Sequence, residues 1–392
     1  MEKYDFSSVI DRSHSDCIKW DCKENVLPRW IADRDYAVAP EIVSALKERL
    51  SHPVYGYTEP HQDFYEAYIS FYKRRHQVKI KKEWLLFSQG VVPTISSSVR
   101  KLTDIGDKVV LLTPVYNIFY NSILNNQRVV KEVPLVIKDG VYTISFSLLE
   151  QALSEEKTKR RILCNPANPI SRIWTKEELI KIGELCYKHH VVVLSDEIHG
   201  EITRPNTSYV PFFSLNEVNR RNSVTAISVT KAFNLAGIHT SAIIVPDEDL
   251  RKRVNRQINT DEVAEPNVFS CVAAVAALNE GEGWLDARRK AVFDNRDYVF
   301  SFIHKEIKEL DVIQGDATYL VWIDARKVTM DTKKLAAFLL EKTGLWLQDG
   351  SVYGKGGEGF LRRNVATPLS LVKDGLNRLK EGISLFLNKS PD

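Results

Sequence analysis

The sequence predicts an α/β fold: a large domain with a mostly parallel sheet flanked by helices, plus a smaller α+β domain. Three observations predict it. Short apolar runs alternate with amphipathic helical stretches through the middle of the chain, the signature of strand–helix–strand units. After about residue 285 the pattern changes to one long helical stretch, shorter strands and a final helix. Two chemistry-bearing segments stand directly after apolar runs, where parallel sheets collect functional groups.

Taken in order, the first forty or so residues read as irregular and rich in aromatic side chains. Pro40 to Leu50 reads as a helix, with Ile42, Val43, Leu46 and Leu50 on one face and Pro40 suited to its first turn. Pro60 to Arg75 is a second, with Phe64, Tyr68, Phe71 and Tyr72 as its stripe. A Gln89-Gly90 turn opens a third, Val91 to Leu102. Lys108 to Leu112, Arg128 to Val133 and Arg161 to Cys164 read as strands. Thr175 to Lys188 is a helix that Thr175 and Glu178 begin with a capping box. The strands Val191 to Leu194, Val224 to Ser228 and Ser241 to Val245 follow. A helical stretch to about Lys308, the strands Tyr319 to Ile323 and Leu361 to Val365, and a helix to about Leu387 complete the chain. The expected division is an N-terminal segment (1–50) packed on the small domain, a large domain (51–284) and a C-terminal small domain (285–392).

Composition bounds the function. The 392 residues are 44% hydrophobic and 27% charged, the balance of a globular protein with ample length for a large core. A net charge of +3 argues against a dedicated nucleic-acid surface. The basic run Lys157 to Arg161 is expected to be a solvated turn. No stretch approaches the roughly 18–20 apolar residues of a membrane helix, and the N-terminus has no apolar signal core, so a cytoplasmic protein is expected. Five scattered cysteines (17, 22, 164, 186 and 271) fit free thiols in a reducing compartment. No metal site is expected.

The informative pair is Asp196, in Ser195-Asp196-Glu197-Ile198-His199, and Lys231, in Ser228-Val229-Thr230-Lys231. Each follows an apolar strand. A carboxylate and an amine just past the ends of separate strands suit pyridoxal 5′-phosphate (PLP), which needs a lysine for its imine linkage and an acid for its ring nitrogen. The plain alternatives are a solvated lysine and a helix-capping aspartate. Three further segments bear on the choice. The Gly90 turn opens a helix whose first N–H groups suit an anion such as a phosphate. Asn165-Pro166-Ala167-Asn168-Pro169 follows a strand and stiffens an amide that can meet an oxygen anion. Arg362 offers a fork for a carboxylate. Each has a bland reading as well: an empty helix start, a proline turn, a solvated arginine pair.

As an ordered set these segments resemble the fold-type I PLP enzymes of the class I/II aminotransferase superfamily. More narrowly, the chain resembles the PatB/MalY branch of cystathionine β-lyases and cysteine-S-conjugate C–S lyases. The likeness runs from Leu27-Pro28-Arg29-Trp30-Ile31-Ala32-Asp33 through Tyr55-Gly56-Tyr57-Thr58 and Thr113-Pro114-Val115-Tyr116. It continues through Lys231-Ala232-Phe233-Asn234-Leu235-Ala236-Gly237 to Gly359-Phe360-Leu361-Arg362-Arg363-Asn364. It implies that Lys231 carries PLP and moves protons, and that Asp196 keeps the ring nitrogen protonated. Tyr116 would stack on the ring, with Tyr120 as runner-up. Gly90, Val91, Val92 and Ser228 would hold the phosphate, and Tyr57 would reach it from the neighbouring subunit of a homodimer. Asn168 and Arg362 would bind the substrate carboxylate, with Tyr116 and Ala32 beside the substrate. His199 stands where many aminotransferases of this fold carry tyrosine, a mark of the lyase branch. Arg34, Ala167, Ile170, Ser171 and Thr367 depart from the branch's usual residues, and their expected place near the cleft bears on substrate preference.

The resemblance implies α,β-elimination from an L-cysteine thioether, a small-molecule amino-acid substrate, to a thiol, pyruvate and ammonia. An aminotransferase is the nearest rival; a regulatory role through protein–protein contact is another. Two motifs are set aside. Gly354-Lys355-Gly356-Gly357-Glu358-Gly359 fits a dinucleotide fingerprint, but no helix is expected after it, so it reads as a flexible loop near the cleft. His189-His190 ends a helix and suits its C-terminal dipole. The aromatic residues Trp20, Trp30 and Tyr36 fit an apolar pocket and core packing equally.

Overall fold

A computed structural model describes residues 4–388. Its largest sheet has seven strands in the order Leu85–Ser88, Ser241–Ile244, Ser223–Ile227, Val192–Asp196, Thr158–Cys164, Lys108–Thr113 and Val129–Pro134. Neighbours are parallel from Ser223–Ile227 to Val129–Pro134. Ser241–Ile244 runs antiparallel to both of its neighbours. The central strands carry near-continuous apolar runs, such as Val109 to Leu112 and Val193 to Leu194, because both faces are covered. Val109, Leu111, Ile162, Leu194 and Val224 pack with Ile95, Val99 and Val254. The alternate residues Val110, Leu112, Leu163 and Val193 pack with Leu149, Ile182 and Cys186. Alternation of side chains along a strand sends successive residues into these two cores.

The helices begin where the sequence signals them. Val91–Leu102 starts after Gly90. Lys176–Lys188 starts with the capping box, in which the Glu178 N–H donates to Thr175 Oγ1 (3.2 Å) and the Thr175 N–H to Glu178 Oε2 (2.9 Å). The expected solvated turn at Lys157 to Arg161 is instead the start of the strand Thr158–Cys164. Arg160 and Arg161 are buried there, their backbones paired with Val109 and Val110 on one side and Val192 and Val193 on the other. Pairing with remote strands outweighed local charge.

A second sheet is antiparallel, in the order Asp311–Ile313, Leu320–Asp324, Phe360–Asn364 and Gln348–Asp349. Val321, Ile323 and Leu361 pack with Val299 and Ile303, Leu335 and Leu339, and Leu376 and Leu379 of three helices. The N-terminal segment is sewn to this region. Leu27–Pro28 pairs in parallel with Leu345–Trp346, and the Asn364 N–H donates to Arg29 O (2.9 Å). The helix Pro40–Ser51, grouped in sequence with that segment, instead joins a core with Phe64, Tyr68 and Ala273. Tyr36 is core packing, whereas Trp30 stacks on Trp346 at 4.9 Å.

The glycine loop at 354–359 is followed by a strand, so a dinucleotide fingerprint fails. It is also tied down: Gly354 has φ +88°, and a Cβ there would collide with the Tyr120 hydroxyl. Among the described residues no helix is long and apolar enough to cross a membrane.

Candidate active site

A cavity of about 290 Å³ opens where the parallel strands end. Asp196 is the last residue of its strand and is buried. Its carboxylate accepts the Ile198 N–H at 3.0 Å. Burial pushes its pKa up to about 7, against the pull of that hydrogen bond and of Lys231. Lys231 sits in a four-residue helix, Val229–Ala232, which Ser228 caps. Ser228 Oγ accepts the Thr230 N–H (3.0 Å) and donates to Thr240 O (2.6 Å). Lys231 Nζ donates to Ala32 O at 2.6 Å.

The Asn-Pro loop is fastened to the same strand ends: the Asn165 N–H donates to Asp196 O at 2.8 Å. Both Asn–Pro bonds are cis. Asn168 Oδ1 accepts from Arg362 Nη1 at 3.2 Å, and Arg362 Nη2 donates to Trp30 O at 2.8 Å. Arg362 is thus buried rather than a solvated partner of Arg363, and its Nε has no hydrogen-bond partner among the described residues. His199 is 4% exposed, and its Nδ1 also lacks a hydrogen-bond partner among the described residues. Burial, reinforced by Lys231, Arg362, Arg34 and Arg288, holds its pKa well below the usual range, so the ring is neutral. Burial likewise pushes the Tyr116 phenol up to about 12.

The cavity brings together Gly90, Val91, Val92, Tyr116, Asn168, Asp196, His199 and Lys231. Arg362 and Ala32 join through Asn168 and Lys231. Ser228 adjoins it, its hydroxyl turned to Thr230 and Thr240. Tyr57 is not brought in: it is fully exposed and borders a separate surface hollow with Arg49 and Pro266. Tyr120 does not line the cavity either; its hydroxyl donates to Glu132 Oε1. Sequence reasoning passed over Cys164, Ile198, Thr230 and His239, which also line the cavity. Thr230 and Ile198 adjoin assigned residues and were within reach. His239 sits alone in a left-handed turn (φ 57°) before the strand Ser241–Ile244, with no local motif to mark it. None of the five departures, Arg34, Ala167, Ile170, Ser171 and Thr367, lines the cavity, and all are buried.

These residues fit PLP. The helix Val91–Leu102 has no side-chain cap, so the Val91 and Val92 N–H groups remain for an anion. A buried carboxylate, an aromatic ring and a lysine share one cavity, beside buried nitrogens on His199 and Arg362 that lack partners.

Residues 31–379 match the aminotransferase class I and II family. The chain is 37% identical to cystathionine beta-lyase PatB of Bacillus subtilis (strain 168), over 97% of this chain and 100% of that protein. It is 31% identical to protein MalY of Escherichia coli (strain K12), over 97% and 99%. Cystalysin from Treponema denticola, solved with a pyridoxal 5′-phosphate cofactor, superposes with a TM-score of 0.94 at 32% identity, over 97% and 99%. With the seven-stranded sheet and the cavity at its strand ends, these likenesses establish that the chain belongs to the aminotransferase class I and II family, whose members use pyridoxal phosphate.

Proposed function

We propose that the chain is a PLP-dependent carbon–sulfur β-lyase that cleaves L-cysteine thioethers such as cystathionine to a thiol, pyruvate and ammonia. The observation that carries the reading is one cavity holding Lys231, buried Asp196, Asn168 with its partner Arg362, and a buried His199. The full-length likeness to a cystathionine beta-lyase supports it.

When bound, PLP supplies the electron sink for a developing carbanion. The chain's residues do the rest. Arg362 and Asn168 bind the amino acid's carboxylate; the guanidinium that now meets Asn168 and Trp30 has donors for two parallel bonds. Lys231 Nζ takes the Cα proton. Its neighbour in the structure is the neutral Ala32 carbonyl, which orients the amine without pairing it with a carboxylate. Asp196 would keep a proton at the cofactor's ring nitrogen, a charge interaction that burial strengthens. The Val91 and Val92 N–H groups, with Ser228, would hold the phosphate, and Tyr116 would cover the ring. The site would work in a homodimer, with exposed Tyr57 reaching the neighbouring copy's phosphate. Five free cysteines fit a cytoplasmic setting.

The test is incubation with cystathionine and no keto acid. The lyase gives steady pyruvate and thiol release. A single turnover that stalls with the cofactor aminated would make the chain an aminotransferase instead. The Lys231→Ala variant should lose the visible cofactor band and all turnover.

A further inference from the structure

Arg34 is 2% exposed, and its three hydrogen-bonding contacts are all neutral. Its guanidinium donates to Lys231 O and, at 3.2 Å, to Thr230 O, and it faces Asn234 Oδ1 at 3.5 Å. The Tyr319 ring lies 5.1 Å from its Cζ. The neighbouring carboxylates are engaged elsewhere: Asp33 with Arg12, Asp35 with Lys19 and Arg29. A buried guanidinium without a counter-ion carries a desolvation cost that an apolar side chain would avoid. Its contacts show what it does in return. The helix bearing Lys231 has four residues, so the chain turns away before a further turn can follow; Thr230 O still accepts the Leu235 N–H at 2.9 Å, and Arg34 supplies a donor to Lys231 O and a second one to Thr230 O. Two residues earlier, Ala32 O receives Lys231 Nζ and also the Tyr319 hydroxyl (3.1 Å). Residues 32–34 therefore hold Lys231 at both ends, backbone and amine. Asn234 completes the clasp by donating to Tyr36 O at 2.8 Å.

We propose that Arg34 is a positioning residue for Lys231: it caps the short lysine-bearing helix from outside and, with the Ala32 carbonyl, fixes where the amine stands in the cavity. This rests on the reading of Lys231 as the cofactor's lysine. It also explains how a residue that departs from the branch's pattern bears on the reaction from outside the cavity.

The test uses the full-length holoenzyme with Arg34→Met and Arg34→Lys. The readouts are kcat and KM for cystathionine, and the visible circular dichroism of the cofactor band per unit of its absorbance, which reports how rigidly the cofactor is held. Arg34→Met should lower kcat by about 10- to 100-fold while KM stays within about threefold, the scale expected of a small misplacement of a reacting group. It should also reduce the dichroism ratio to about half or less. Arg34→Lys, which keeps the charge but reaches fewer carbonyls, should fall between Met and the parent in both. An Arg34→Met enzyme with parental kcat and dichroism overturns the proposal. So does a loss of kcat accompanied by a lower thermal midpoint, an unchanged dichroism ratio and no recovery with lysine. Should the methionine variant fail to fold, Arg34→Lys decides: parental values in both readouts overturn the proposal. A visible band that survives Lys231→Ala would instead overturn the underlying assignment of the lysine, a separate outcome.

Discussion

Glu197, next to Asp196, carries a pH dependence of its own. It is buried, and its carboxylate accepts from the Phe212 N–H (2.8 Å), Ser195 Oγ (2.9 Å) and Asn165 Nδ2 (3.3 Å). Burial outweighs these bonds and raises its pKa from 4.5 to about 7. The native state therefore keeps this proton where the unfolded chain has lost it. Its contribution to stability is full below about 4.5 and is lost as pH rises through about 7. Glu197→Gln, compared with the parent in the same cofactor state, should flatten the fall in thermal midpoint between about pH 5 and about pH 8. Equal slopes for the two proteins would refute the assignment. At this scale the sequence was informative wherever a functional group had a strand or a helix start beside it. Asp196, Lys231, Gly90 and Asn168 could be found because a local motif fixes their direction. His239 could not, since no local motif marks it, and Arg34, singled out as a departure expected near the cleft, stands outside the cavity.

Among the elements, the segment Lys19 to Tyr36 has almost no regular structure and is held by charge. Asp35 receives Lys19 Nζ (2.7 Å), Arg29 Nη1 (2.7 Å), Arg12 Nη1 (3.1 Å) and Trp20 Nε1 (2.9 Å). Burial opposes ionisation, yet Lys19 and Arg29 hold this carboxyl well below the usual range. Asp35→Asn strands two fully buried cations and should destabilise the protein by about 3–5 kcal/mol, measured by chemical denaturation. A loss below about 1 kcal/mol would show the hub to be solvated in effect. The regular elements were easier to read. Val91–Leu102 and the start of Lys108–Thr113 stand where periodicity puts them, because a helix start after glycine and a doubly buried strand leave strong local patterns. Thr158–Cys164 was half hidden: its basic first turn of sequence resembles a surface loop, and only its two neighbouring strands make it a strand.

At the level of the whole molecule, the shared-site reading makes a prediction about two copies. If Tyr57 serves the neighbouring copy's cavity, Tyr57→Ala and Lys231→Ala enzymes, each nearly inactive, should regain about a quarter of parental activity when unfolded together and refolded as a mixture, because mixed dimers hold one intact site. No recovery, with dimers present, would remove Tyr57 from the site. The two-sheet architecture was legible from the change of pattern near residue 285. The place of residues 27–36 against both sheets was read only coarsely, as a segment packed on the small domain with Ala32 beside the substrate, for its detail depends on contacts between remote parts of the chain, which no local window contains.

Those contacts set the order in which the protein can come into being. Arg362 meets Trp30 across 332 positions and Lys231 meets Ala32 across 199. During synthesis residues 32–36 can meet Lys231 and Asn234 once the middle of the chain has emerged, whereas Trp30 and Arg29 must wait for the strand Phe360–Asn364. The large sheet can assemble first, but the pocket closes only when the last strand arrives to clasp the first residues. Such long loops make folding slow, and they make the cofactor pocket one of the last parts of the newborn protein to be finished.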